Sequence, residues 1–175
     1  VIIATKVGRP IGDESNNLSA AYIKEQIDLS LKRLQTDYVD VYFSHKYDES
    51  VTQRETLAAY KHLINEGKVR EIGASNFPLA VLRDAIELSK AEDLPKYNYV
   101  QPQYNLMERD GFEGDYQRFC IEENLEVISY FTLASGFLTG KYQSVEETSG
   151  KARERFVKKY FTAKGNRVLN TLTTL

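Results

Sequence analysis

The sequence predicts an α/β fold, a parallel (β/α)8 barrel of the TIM type, with about five βα units in residues 1–175 as one partial domain. Short apolar runs alternate with amphipathic helical stretches, the pattern of parallel strands joined by right-handed crossovers. Polar residues end five of these runs: Lys6, His45, Ser75, Gln101 and Tyr130. No Gly-x-Gly-x-x-Gly turn is present, although a doubly wound Rossmann sheet should carry one. The barrel is favoured, because its strands end at one face, where active sites form.

The first predicted unit is a buried strand followed by a long helix. Residues 1–5 form a continuous apolar run, which is typical of a strand buried on both faces. Ser19 is the predicted N-cap of an amphipathic helix that ends near Leu34. The second strand is predicted over residues 37–44.

The next units follow the same order. Thr52 and Glu55 have the spacing of a capping box, which opens a helix ending before Gly67. The later elements are predicted at 69–74 (strand), from Pro78 to Lys90 (helix), at 99–102 (strand), at about 114–123 (helix) and at 125–129 (strand). Residues 142–164 are charged and irregular, which predicts a mobile lid or excursion before a last helix near Gly165.

Composition restricts the class of function. With 42% hydrophobic and 27% charged residues, the chain is a soluble globular protein. A net charge of −2 gives no reason to expect a nucleic-acid or membrane partner. Two distant histidines and one cysteine do not make a metal site. The single cysteine, Cys120, is interpreted as buried filler, and we expect a cytoplasmic location.

Lys6 and His45 are the candidates for proton chemistry. Partial desolvation at a strand end suits Lys6 to a proton relay, a Schiff-base nucleophile or a structural charge, although it could simply reach solvent. His45 can share protons near neutral pH, and the alternative is a hydrogen-bonded structural histidine. His62 lies within a helix among charged neighbours and is interpreted as a surface residue.

The remaining candidates are suited to binding a ligand. Ser75 could bind one or cap the next helix, Asn76 could satisfy the turn, and Gln101 is a carboxamide that needs partners. Tyr130 could stack on a planar ring or pack in the core. The small, polar loop that follows could bind phosphate through Phe131, Thr132, Leu133, Ser135, Gly136 and Lys141.

Four sequence motifs in register carry a resemblance to a known family. They are TKV at 5–7, SLKRLQTDYVD at 30–40 with His45 and Asp48 after it, EGKVREIGASNF at 66–77 and LASGFLTGKY at 133–142. Together they resemble the aldo-keto reductases over nearly the whole chain. The resemblance implies a barrel that binds NADPH, or its oxidised form NADP+, and reduces a small-molecule aldehyde or ketone.

The resemblance also implies a role for each residue. Lys6 and His45 match the catalytic lysine and histidine, and Ser75, Asn76 and Gln101 match the residues that bind the nicotinamide carboxamide. Tyr130 matches the aromatic that stacks on the nicotinamide ring. The loop from Phe131 to Ser135, with Gly136 and Lys141, matches the binder of the pyrophosphate. The choice of NADPH over NADH rests on the resemblance alone.

Some parts of the family pattern are absent from this sequence. The catalytic tyrosine and its aspartate partner would precede Val1, and the segment that recognises the 2′-phosphate would follow Leu175. Phe131 and Thr132 stand where most similar relatives have Ser-Pro. We therefore expect a segment truncated at both ends, which alone would be inactive and would aggregate or fail to bind NADPH.

Two alternatives to a reductase remain. A Schiff-base aldolase would use Lys6 as its nucleophile but leaves Asn76, Gln101 and Tyr130 without a role. A non-catalytic nucleotide-binding subunit, like the channel-associated members of the family, would share the fold. Such subunits lack the catalytic histidine, so the presence of His45 favours an enzyme.

Overall fold

The protein contains a five-stranded parallel sheet whose strands lie side by side in chain order. The structure is a computed structural model, and it describes residues 1–9 and 16–174. The strands are β1 (Ala4–Val7), β2 (Val39–Ser44), β3 (Val69–Ser75), β4 (Tyr97–Gln101) and β5 (Glu126–Val127). All four neighbouring pairs are parallel, which confirms the predicted α/β class.

Helices separate the strands and continue beyond them. They are α1 (Ala20–Leu34), α2 (Gln53–Asn65), α3 (Leu79–Ala91), α4 (Asp115–Glu122), α5 (Glu154–Val157) and α6 (Ala163–Thr173), with 3-10 turns at Ala134–Thr139, Glu146–Thr148 and Lys158–Tyr160. The chain forms two compact units. The sheet unit comprises Val1–Gln101 and Phe119–Ile128, and the loop unit comprises Pro102–Arg118 and Ser129–Leu175.

The first strand starts later than the sequence predicts. Residues 1–5 were expected as a strand buried on both faces, but β1 begins at Ala4, and Val1 and Ile2 are exposed. β1 is the outer strand of the described sheet and pairs with β2 alone among the described residues. An apolar run forms a buried strand only where other elements cover both of its faces.

The predicted helix caps are confirmed, with one difference. The Ser19 hydroxyl accepts the N–H of Tyr22 at 3.4 Å, and the Thr52 hydroxyl accepts the N–H of Glu55 at 3.3 Å. In a capping box the acid would bond back to the cap residue. The Glu55 carboxylate instead accepts the N–H of Ala20, at 2.9 Å, and so contacts the first turn of α1.

Hydroxyl groups are buried between the sheet and α2. The Ser44 hydroxyl lies 2.8 Å from the Tyr60 hydroxyl and 3.2 Å from that of Tyr97. Burial raises the pKa of both tyrosines above the usual value, so their hydroxyl groups stay protonated and can donate hydrogen bonds. These bonds tie the carboxyl end of β2 to α2 and β4.

The loop unit has a hydrophobic core of its own, which the sequence did not predict. Residues 142–164, which were expected to be irregular, contain three short helical turns that pack inwards, and a mobile lid or excursion stays a prediction. The core consists of Met107, Ala134, Phe137, Tyr142, Val157 and Tyr160. The aromatic residues of this core are five or more positions apart and follow neither the helical nor the strand period, so the sequence pattern does not predict their packing.

Helix α6 begins two residues before the predicted position. Thr162 is its N-cap and accepts the N–H of Gly165 at 3.1 Å. Gly165 is buried, and a Cβ there would overlap the carbonyl oxygen of Tyr160. The glycine predicted to mark the helix start therefore has another role, because it allows α6 to approach the preceding turn closely.

Candidate functional site

The strand register places Lys6 on a defined face of the sheet. Lys6 pairs with Phe43, Phe43 with Gly73, and Gly73 with Tyr99. Partners in a parallel ladder share a face, and side chains two residues further along return to it. Lys6, Phe43 and Tyr99 therefore project to the same side of four neighbouring strands.

Three more of the predicted residues continue this face at the carboxyl ends of the strands. Ser75 and Gln101 are paired in register, two residues beyond Gly73 and Tyr99. His45 directly follows β2, two residues beyond Phe43. The sheet thus brings together Lys6, His45, Ser75 and Gln101, as the sequence predicts.

Gly73 makes room for an aromatic ring on this face. A Cβ at this position would overlap the ring of Phe43, which packs across the glycine. The Tyr99 ring meets Phe43 edge-on, with centroids 6.4 Å apart. The face beneath the strand ends is therefore lined by two aromatic rings.

Lys6 lies more open to solvent than expected. Its side chain is exposed, and its ammonium nitrogen is 5.9 Å from the centroid of the Phe43 ring. Among the described residues β1 is the outer strand of the sheet, so Lys6 has a neighbouring strand on one side only. A cation at this distance from a ring is weakly attracted to it.

His45 is half-buried, and both of its main-chain groups are bonded. Its N–H donates to the carbonyl of Val7 at 2.8 Å, and its carbonyl accepts from the Asn76 carboxamide at 2.9 Å. Burial, followed by the positive charges of Lys6 and Arg9, lowers the pKa of the imidazole. A neutral imidazole is therefore favoured near pH 7. Arg9 belongs to no strand end, so no strand pattern in the sequence points to it.

Ser75 and Asn76 link three strands. The Ser75 hydroxyl donates to the carbonyl of Gln101 at 2.9 Å and accepts from the Asn76 carboxamide nitrogen at 3.0 Å. The N-cap of α3 is Pro78, so the alternative that Ser75 caps this helix is wrong. Asn76 has a φ of 56°, a left-handed conformation that asparagine adopts more readily than most residues.

Asp48, which belongs to one of the four motifs, holds the start of α1. Its carboxylate accepts the N–H of Leu18 at 2.9 Å, and it also accepts the N–H and hydroxyl of Ser50. Burial raises the pKa of Asp48, but these hydrogen bonds outweigh burial and keep the pKa below its usual value. Asp48 is thus an ionised structural residue in the described part of the chain.

In the loop unit, Tyr130 stands at the entrance of the predicted phosphate loop. It forms an isolated parallel bridge with Gln103, and its N–H donates to the carbonyl of Pro102 at 3.0 Å. Its half-buried ring meets Phe131 edge-on at 5.3 Å between centroids. The Phe131 ring in turn lies 5.7 Å from that of Phe156.

The loop after Tyr130 has an unusual backbone. Left-handed φ values occur at Phe131 (53°), Ala134 (48°) and Ser135 (58°), and Gly136 has a φ of 100°. The N–H groups of Ala134 and Gly136 donate to the carbonyls of Phe131 and Leu133, at 2.7 and 2.8 Å. The left-handed residues therefore close tight turns, and phosphate binding by this loop stays a prediction.

Side chains of the loop differ in their surroundings. The Ser135 hydroxyl is buried and has no hydrogen-bond partner among the described residues. The amine of Lys141 lies over Gly136, 3.1 Å from the position that a Cβ would take there. Thr132 and Leu133 are exposed.

Asn105 is a residue that the sequence analysis missed. It is 6% exposed, its carboxamide nitrogen donates to the carbonyl of Phe131 at 2.9 Å, and its oxygen accepts the N–H groups of Met107 and Glu108. It therefore fixes the entrance of the loop. Its burial and its bonds depend on tertiary contacts, so no local sequence pattern identifies it.

The loop unit also contains a groove that is separate from these residues. A groove of about 510 Å³ in the loop unit is lined by Leu106, Arg109, Lys164, Arg167, Val168, Thr171 and Leu172. None of the predicted site residues lines it. Across residues 1–9 and 16–174, no group of three or more His, Cys, Asp or Glu residues is placed to hold a metal ion. No helix in these two ranges has the length and apolar character to span a bilayer.

Comparison with known proteins gives a family match over the whole chain. Residues 1–175 match the model of the Aldo/keto reductase family. The chain is similar to the "Aldo-keto reductase yakc [NADP(+)]" of Schizosaccharomyces pombe, at 31% identity over 84% of the chain and 43% of that protein. It is also similar to a "Putative voltage-gated potassium channel subunit beta" of the same yeast, at 37% identity over 81% of the chain and 42% of that protein. The chain thus spans less than half the length of these relatives.

A solved structure supports the fold. The glycerol dehydrogenase of Gluconobacter oxydans superimposes with a TM-score of 0.81, at 24% identity, over 99% of the chain and 53% of that protein. At this identity the likeness shows the fold alone. The predicted (β/α)8 barrel, present in part, is confirmed.

Proposed function

Since the chain belongs to the aldo/keto reductase family, we propose that the full-length protein transfers a hydride from NADPH to the carbonyl group of an aldehyde or ketone. The observation that carries this proposal is the shared face of Lys6, His45, Ser75 and Gln101 at the ends of four strands. One pair is suited to proton chemistry and the other to hydrogen bonding an amide.

Lys6 and His45 are proposed to act on the oxygen of the carbonyl substrate. A positive charge at Lys6 favours a developing oxyanion, since catalysis depends on groups that stabilise charge as it forms. His45, whose pKa is lowered by burial and by the charges of Lys6 and Arg9, would offer a neutral imidazole N–H. The proton donor that completes the reaction would be a tyrosine outside residues 1–175.

Cofactor binding is proposed for residues of both units, each considered by itself. Ser75, Asn76 and Gln101 would bind the nicotinamide carboxamide, and Tyr130 would stack on the ring. The loop at Phe131, Thr132, Leu133, Ser135, Gly136 and Lys141 would bind the pyrophosphate. The Ser135 hydroxyl is buried and has no hydrogen-bond partner among the described residues, which supports a polar ligand at this loop. When bound, NADPH would supply the hydride, and the protein would orient it.

The test is NADPH oxidation by the full-length protein with a panel of aldehydes and ketones, followed by the loss of absorbance of the reduced nicotinamide. Turnover with at least one carbonyl compound is expected. Binding is measured separately, as quenching of protein fluorescence when NADPH is added. The absence of both turnover and quenching would exclude the proposal.

A non-catalytic channel subunit is the second candidate. The similarity to a protein named as a potassium channel subunit beta, at 37% identity, favours it. The histidine at position 45 supports the enzyme instead, because the resemblance implies that the channel-associated members lack it. Binding of NADPH without turnover of any carbonyl compound would favour the subunit.

The proposal includes the surroundings in which the protein acts. The substrate would be a small carbonyl compound, without nucleic-acid or membrane partners, in the cytoplasm. A balanced net charge of −2 and a single cysteine support this part. Fractionation of cells that produce the tagged full-length protein would test the location.

A further inference from the structure

Hydrogen bonds connect the ends of β2, β3 and β4 through the side chains of Ser75 and Asn76. The Asn76 carboxamide nitrogen donates both to the His45 carbonyl, at 2.9 Å, and to the Ser75 hydroxyl, at 3.0 Å. That hydroxyl donates to the Gln101 carbonyl at 2.9 Å. The two final acceptors are the main-chain carbonyl groups of His45 and Gln101, and both residues belong to the candidate site.

His45 is held from two sides. Its N–H donates to the carbonyl of Val7, the residue that follows Lys6, and its carbonyl accepts from Asn76. β2 ends at Ser44, so His45 itself lies outside the regular strand. These two hydrogen bonds therefore fix the main chain of His45, as the ladder bonds fix residues within a strand.

We infer that Asn76 is a positioning residue for His45, in addition to its proposed contact with the nicotinamide. The inference rests on the proposed function, because it assigns His45 an action on the substrate oxygen. Through Asn76, the turn after β3 fixes the main chain at the end of β2. The Asn76 side chain would then both position His45 and bind the nicotinamide of the cofactor.

The conformation of Asn76 suits this position. With a φ of 56°, its main chain is left-handed and its side chain bonds to the neighbouring strand end. Glycine would keep that backbone but lose the donor, and aspartate would keep the size but lose the N–H groups. These two substitutions remove the hydrogen bond in independent ways.

The first measurement follows the imidazole signals of His45 by NMR in the full-length protein without cofactor. Asn76→Gly is expected to move the His45 signals and to leave those of His62, which is exposed on α2, unchanged. The His45 signals are assigned with His45→Gln. The matched control is Asn124→Gly, since Asn124 is exposed, has a φ of 51° and lies in the loop before β5.

The second measurement separates positioning from cofactor binding. Asn76→Gly and Asn76→Asp are assayed at saturating NADPH, after the dissociation constant of each variant is determined by fluorescence. A misplaced catalytic group lowers the rate even when the cofactor is bound, so kcat should fall by about tenfold. If Asn76 only held the cofactor, kcat would recover at saturation.

The outcomes distinguish this inference from the proposed function. Unmoved His45 signals in both Asn76 variants, with kcat restored at saturating NADPH, would overturn the inference. If the wild-type protein reduces no carbonyl compound, the proposed function fails, and the NMR experiment still decides whether Asn76 positions His45. If Asn76→Gly does not fold, Asn76→Asp provides the same test, because it retains the side-chain volume.

Discussion

The candidate residues of the sheet unit and those of the loop unit are held in place by different means. Lys6, Ser75 and Gln101 lie within strands, where main-chain hydrogen bonds of the ladder set their positions. The loop that follows Tyr130 has left-handed residues and rests on a core that includes Phe137 and Tyr160. The first region is set by backbone pairing, and the second by packing of side chains.

Because of this difference, substitutions in the two units should affect different properties of the protein. A strand-end side chain can be exchanged while the ladder remains, so its loss should affect catalysis and hardly affect folding. In the loop unit, the backbone depends on the side chains beneath it, so core substitutions should weaken folding. In the full-length protein, strand-end substitutions should therefore lower activity, and core substitutions in the loop unit should lower stability.

Lys6→Met should have the largest effect. A positioned charged or proton-transferring group contributes about 10²- to 10⁴-fold to a rate, so kcat should fall within that range. The dissociation constant for NADPH and the melting temperature should change little. Lys24→Met, at an exposed position of α1, is the matched control and should leave all three quantities unchanged. A marked fall in the melting temperature of Lys6→Met would contradict the view that this strand residue serves catalysis and not folding.

Phe137→Ala should have the largest effect on stability. Phe137 is fully buried, and its ring packs against Tyr160 and Phe161 with centroids 5.6 and 5.2 Å away. Truncation of a buried phenylalanine costs about 3–5 kcal/mol in free energy of unfolding. Chemical denaturation measures this loss. A change below about 1 kcal/mol would show that the core of the loop unit is not tightly packed.

Gly165→Ala and Gly73→Ala compare close packing in the two units. Overpacking costs about 1–3 kcal/mol, and the cost should be greater at Gly165. There a Cβ meets the main-chain carbonyl of Tyr160, whereas at Gly73 it meets a side chain, the ring of Phe43. Gly111→Ala is the control, since nothing lies within 4 Å of its Cβ position. Equal stability of all three variants in thermal unfolding would refute this explanation.

Acidification should produce the smallest effect, through His45. The pKa of its imidazole is lower in the folded protein than in the unfolded chain, chiefly because of burial. Its contribution to stability is therefore present above the unfolded pKa and is lost as the pH falls through the folded value. Denaturation between pH 7 and pH 5 should show a smaller decline for His45→Gln than for wild type.

The sequence predicts the sheet unit better than the loop unit, for a physical reason. Period and capping reveal strands and helices, and Lys6, His45, Ser75 and Gln101 could be located because they lie at or directly after strand ends. Residues 142–164 carry no period, so their burial around Tyr142, Val157 and Tyr160 could not be derived. The bonds of Asn76 and Asn105 depend on tertiary contacts, which local patterns do not contain.

Glu55 restricts how this chain can be recombined with its relatives. Its carboxylate accepts the N–H of Ala20, and its own N–H donates to the Thr52 cap. One negative charge thus lies near the amino-terminal ends of both α1 and α2, where helix dipoles favour it. A crossover within residues 35–38 would take these two ends from different parents, and the Ala20 N–H would lose its acceptor wherever the second parent has no acid at position 55. For chimeric proteins, the exchangeable piece is therefore the pair of helices and not a single βα unit.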